Sequence, residues 1–121
     1  MRPSISDIIN KVNEVNGVRE DIKAGDIFSE RYNIGTIDSY RFWKVIDFNP
    51  SERNVKVRQV SSKIVSGDKH RGKLVCIPNK FLKEERLGKI GGIQGNCTID
   101  FGNNNIAYKL NNINREFTYS H

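Results

Sequence analysis

The chain has 121 residues, 36% of them hydrophobic and 28% charged, a size suited to one domain that buries its own core. Six Phe, four Tyr and one Trp argue against disorder throughout, no apolar run nears the ~20 residues that span a bilayer, and two cysteines are too few for a disulfide framework. The net charge of +6 points to an acidic partner, and the start Met1-Arg2-Pro3-Ser4 lacks the apolar centre of a signal peptide, so a cytoplasmic protein is expected.

In chain order, the first predicted element is a helix over residues 1–17. Ser4 and Asp7 fit a capping box, Ile5, Ile8, Ile9, Val12 and Val15 form an apolar stripe, and Gly17 suits the position after the last turn. After Gly25 the period changes. Asp26 to Phe28 reads as a short strand, and residues 29–39, mixing Gly, Asn, Ser and Thr, as a long loop or an irregular edge. Tyr40 to Phe48 is the strongest strand, aromatic and β-branched on both faces. A turn at 49–54 leads to Val55–Val60, where Val55 and Val57 face one side and Lys56 and Arg58 the other, so 40–48 and 55–60 are expected to pair.

Residues 66–73 form a glycine-flanked basic loop, and Leu74 to Ile77 a buried strand. Asn79 to Leu87 reads as a short helix capped by Asn79, with Phe81, Leu82 and Leu87 apolar. Gly88 to Gly95 holds four of the ten glycines, which excludes a regular helix there. A hairpin follows around residues 102–105, with apolar rows Cys97, Ile99, Phe101 and Ile106, Tyr108, Leu110; the last ten residues read as extended or frayed. The expected class is α+β: one domain over 1–121, in which the N-terminal helix packs on a small, strongly bent antiparallel sheet or barrel spanning 25–110.

The charge is concentrated in one segment. Residues 53–89 carry eleven Lys and Arg against three Asp and Glu, whereas residues 1–52 carry seven against nine. A basic stripe of this kind is the footprint of a polyanion-binding face. The expected contacts with nucleic acid or a partner protein are Lys56, Arg58, Lys63, Lys69, Arg71, Lys73, Lys80 and Lys83; a flexible loop carrying Lys69, Arg71 and Lys73 would reach a curved polyanion.

No spacing of His and Cys suits zinc, so no metal and no cofactor is expected. Asp68 and His70 share a loop and would make an acid-base dyad if it were extended, but read more simply as ordinary loop residues. Cys76 and Cys97 lie in apolar strands and are expected to be reduced and buried. Gly88-Lys89-Ile90-Gly91 has the GxxG spacing of a nucleotide-clamping loop but opens no helix, and Arg71-Gly72-Lys73 lacks the aromatics of an RNA-binding strand motif. The aromatics of 40–48 read as core. Trp43 alone, sharing a face with Arg41, is the candidate for an exposed stacking platform. No catalytic pairing emerges, so a non-catalytic binding protein is expected, with a small enzyme as the minor alternative.

Gly25-Asp26-Ile27-Phe28, Ser29, Tyr32, Ile37-Asp38, Tyr40, Lys44-Val45 and Val55-Lys56-Val57-Arg58-Gln59-Val60 together resemble a family of small phage and plasmid proteins. Its members carry a GDI start, spaced tyrosines and a later V-x-V-R stretch. Glu30 and Arg31 replace that family's Trp-Gly, and Ser39 its Phe. No catalytic residue follows from the resemblance. It implies a mobile-element accessory protein of the bacterial cytoplasm, a setting in which counter-defence inhibitors, including anti-CRISPR proteins, are common. The partner is then nucleic acid or a host complex that handles it, with a direct, non-specific DNA- or RNA-binding module as the alternative; no membrane partner is expected.

Overall fold

The structure, a computed structural model, describes residues 22–49, 51–93 and 96–121. These form seven strands: β1 (Ile27–Ile34), β2 (Ile37–Asn49), β3 (Asn54–Gly67), β4 (Arg71–Ile93), β5 (Asn96–Asp100), β6 (Ile106–Lys109) and β7 (Phe117–Ser120). All pairings are antiparallel. Neighbours run β1–β6–β5–β4–β3–β2, and β1 also pairs with β2 from Ile27↔Lys44 to Ile34↔Ile37, so six strands close into a barrel. Closure removes open edges, which otherwise template aggregation. β7 then bridges β4 (Arg71↔Ser120 to Leu74↔Phe117) and the start of β2 (Asp38↔Ser120), closing a second, smaller lobe through β2, β3 and β4.

Successive side chains of a strand point to opposite faces, and β2 uses both. Trp43 and Val45 face the barrel core with Phe28, Val55, Val57, Ile90, Cys97, Ile99 and Ala107. Phe42 faces the second core with Ile27, Val60, Leu74, Cys76, Leu110, Phe117 and Tyr119. The outer wall of the barrel therefore continues as the inner wall of the second lobe, which is why residues 40–48 are apolar on both sides. Each such side chain, once fully buried, contributes roughly 1.5–3 kcal/mol. The barrel is narrow. A Cβ at Gly88 would lie 2.4 Å from Ile99 Cγ2 and 3.0 Å from Phe101 Cδ1.

The α+β expectation is corrected: the described residues contain strands and no helix. The expected helix over 1–17 lies outside the described residues. Residues 79–87 belong to β4, because their register against β3 is carried through Val57↔Arg86 and Arg58↔Glu85. Phe81, Leu82 and Leu87, which suggested a helical face, are instead exposed. Residues 29–39, expected as a long loop or an irregular edge, form a regular hairpin, β1 and the start of β2 joined at Gly35-Thr36, with Gly35 at φ +60°. Across it Arg31 makes a bidentate pair with Asp38 (2.9 and 2.7 Å).

The pairing of 40–48 with 55–60 and the hairpin at 97–110 are present, with one correction. Ala107 faces the core, while Ile106 and Tyr108 are exposed. Of the two readings of the last ten residues, the extended one holds at 117–120, which form β7, anchored by buried Phe117 and Tyr119.

Candidate functional site

The outer face of β2–β3–β4 gathers part of the basic segment around an irregular stretch of β4. Arg58 pairs with Glu85, Val60 with Phe81, and Ser61 with Ile77. Four β4 steps thus match two on β3, and the next four match one. The excess backbone bulges outward on either side of Phe81, the usual effect of extra residues in one strand of a ladder. Phe81 is 45% exposed, and Leu82 beside it 37%.

Two cations lie over the Phe81 ring, Lys44 Nζ at 5.3 Å from its centroid and Arg58 Cζ at 5.2 Å. Lys44 and Arg58 are directly paired across β2 and β3. Backbone groups of the bulges hold them there. Lys44 Nζ donates to the Pro78 carbonyl and to Asn79 Oδ1, both at 3.2 Å, and Arg58 Nε donates to the Leu82 carbonyl at 2.7 Å. Among the described residues neither cation has a carboxylate partner. The nearby Glu85 goes to Lys56 (3.7 Å) and Glu84 to Arg86 (3.5 Å). Lys80 and Lys83 are exposed on the same excursion. Of the expected contacts, this brings together Lys56, Arg58, Lys80 and Lys83, and adds Lys44 and Phe81, which sequence reasoning had left out.

Lys63, Lys69, Arg71 and Lys73 form a separate group at the far end of β3–β4. Arg58 and Gly67 are nine residues apart on one strand, up to about 30 Å at roughly 3.3 Å per residue. The connecting turn is tightly built rather than flexible. Gly67 (φ +91°) pairs with Gly72, and a Cβ on either would strike the opposite backbone. Asp68 Oδ1 accepts the His70 and Arg71 amide N–H groups (2.8 and 3.2 Å), and those bonds hold its carboxyl below the usual range. Asp68 is therefore the cap of this turn, and the suggested dyad with His70 is not what its carboxylate serves. The Tyr119 hydroxyl donates to the Asp68 carbonyl, tying the turn to β7. Arg71 and Lys73 line an open depression with Thr118 and Tyr119, and Lys73 reaches Glu116 at 3.9 Å.

Trp43 is not the exposed platform. It is fully buried, and its indole Nε1–H donates to Glu30 Oε1 at 3.2 Å inside the barrel. Arg86 stacks on it, Cζ 4.4 Å from the ring centroid, and bonds both Glu30 oxygens at 3.3 and 3.1 Å. Glu30, Trp43 and Arg86 thus form one satisfied polar unit within the barrel. Their sequence signal was slight: a Glu two residues after Phe28 on the inward side of β1, and an Arg two before Gly88 on β4.

Both cysteines are buried, Cys97 in the barrel core and Cys76 in the second. Their placement in different cores separates them, and burial pushes the Cys76 thiol up to about 11 against a smaller opposing effect of Lys44. No helix among the described residues is long and apolar enough to cross a membrane. Compared with known proteins, the chain matches no family model, no curated protein and no solved structure.

Proposed function

We propose that the chain is a non-catalytic binding protein that engages nucleic acid directly through the outer face of β2–β3–β4. The observation that carries this reading is the pair Lys44 and Arg58, like charges directly opposite on adjacent strands and not neutralised by any carboxylate among the described residues. Like charges in that position destabilise a sheet. A phosphate backbone brought to them removes that penalty and releases its own counterions. Lys80 and Lys83 extend the positive surface, and the group at Lys63, Lys69, Arg71 and Lys73 lies where a longer polyanion following β3 and β4 would meet it.

Direct contact is preferred to contact through a host protein complex because an apolar ring stands among the cations, a combination suited to bases and phosphates together. The setting in a phage or other mobile element, a bacterial cytoplasm and a counter-defence role rest on the resemblance of residues 25–60 and are proposed on that ground.

The test is fluorescence anisotropy with labelled single- and double-stranded oligonucleotides across a salt series. Binding is expected at low salt and should weaken linearly in log–log form. The double substitution Lys44→Glu and Arg58→Glu should abolish it with the fold retained by circular dichroism. Absence of binding to every oligonucleotide at low salt would overturn the reading.

A further inference from the structure

We infer that Phe81 is a nucleobase-stacking site, so that the preferred ligand is an unpaired strand, DNA or RNA, rather than a duplex. The inference rests on the nucleic-acid reading above and goes beyond it in naming the class of strand and the residue that selects it. Three observations carry it.

First, the ring is held in place rather than loose on the surface. It sits opposite Val60 between two bulges, with Lys44 and Arg58 against it, and those two are in turn fixed by the carbonyls of Pro78 and Leu82. A surface aromatic with its neighbours pinned loses little conformational freedom when a flat group covers it.

Second, the residue remains 45% exposed in spite of those contacts, on a chain that fully buries its larger Trp43 and both Phe28 and Phe42. The fold has two cores to receive apolar rings, and the bulges of β4 direct this one outward.

Third, the cations are placed for a nucleotide. Lys44 and Arg58 lie against the ring, and exposed Lys80 and Lys83 stand one and two residues from it on β4, so a base on the ring brings its phosphates among long cationic side chains. The faces of bases in a duplex are already covered by their neighbours, so a ring of this kind gains nothing from a duplex interior. Every base has a π-face, and stacking is accordingly tolerant of sequence.

The test compares wild type, Phe81→Leu and Phe81→Trp on three probes: a thymidine oligonucleotide, the same backbone with abasic sites, and a duplex. Leu keeps an apolar side chain but cannot stack, so thymidine affinity should fall about 5- to 150-fold. The salt dependence should be unchanged, since no charge is lost. Wild type should bind the abasic strand as weakly as Phe81→Leu binds thymidine, and duplex affinity should be alike in all three proteins.

Phe81→Trp should retain thymidine binding and show quenched indole emission on adding the strand. The wild-type emission, from buried Trp43, should hold steady. If wild type binds thymidine but Phe81→Leu binds it equally and Phe81→Trp is not quenched, the stacking site is overturned and the nucleic-acid reading stands. If wild type binds none of the three probes, the reading itself falls.

Discussion

Two cation–aromatic clusters stand on opposite sides of the same barrel wall. Inside, Arg86 lies over Trp43 and its charge is met by both oxygens of Glu30, itself only 3% exposed. Outside, Lys44 and Arg58 lie over Phe81 with backbone carbonyls but no carboxylate as partners among the described residues. The chemistry of the two contacts is alike; their completion differs. A buried charge must be neutralised within the fold, because an uncompensated one costs several kcal/mol. Lys44 and Arg58, half-buried and bonded to backbone carbonyls, keep solvent on one side and can be left without a carboxylate. The inner cluster therefore reports on how the barrel holds its shape, and the outer one is the surface proposed to meet a ligand.

Several changes would break or sharpen this contrast. The largest effect should come from Arg86→Met, which leaves the Glu30 carboxylate buried with, among the described residues, only the Trp43 indole as side-chain partner. A loss of about 3–5 kcal/mol is expected by urea denaturation. Adding Glu30→Gln to that variant should restore part of it, since a neutral amide needs no counter-charge. Gly88→Ala should cost about 1–3 kcal/mol through overpacking against Ile99, measurable as a lower urea midpoint with unchanged m-value.

On the outside the order of effects reverses. Lys80→Ala with Lys83→Ala should shift stability by no more than about 0.5 kcal/mol. Each lysine that touches a phosphate should nevertheless lower the log–log salt slope by roughly 0.7–0.9.

The smallest effect expected is local and pH-dependent. The His70 and Arg71 amides that bond Asp68 hold its carboxyl below the ordinary value of about 3.9. A depressed carboxyl stabilises the fold above its unfolded pKa and loses that contribution as pH falls through the folded value. Protection of the His70 and Arg71 amides, exchange measured against the intrinsic rate at each pH, should therefore fall only in acid below about pH 4. Asp68→Asn, which keeps an acceptor oxygen, should flatten that dependence.

How much of this was legible in the sequence follows from which side chains report their own environment. Tyr40–Phe48 and Val55–Val60 declare themselves, because apolar and alternating residues there do face the cores. Residues 29–39 do not. Their strands are held by polar groups, the Arg31–Asp38 pair and the Glu30 carboxylate turned into the barrel, and polar composition reads as loop. Residues 79–87 misled in the opposite sense. Phe81, Leu82 and Leu87 fall at spacings that suit one helical face, yet all three are exposed, and the bulges erase the period of two that would mark a strand.

The basic segment was visible as a count of charges. Its division into two groups, and the choice of Lys44 and Phe81 over Trp43, depend on register slips that no local pattern encodes.

The central claim is that ligand meets the outer cluster while the inner one is structural. The most direct test is heteronuclear NMR of the full chain, titrated with a single-stranded thymidine oligonucleotide. Progressive amide shifts are expected at Lys44, Arg58 and residues 78–84, with the Trp43 indole Nε1–H resonance unmoved. Shifts at that indole and at Glu30, with residues 78–84 unaffected, would contradict it.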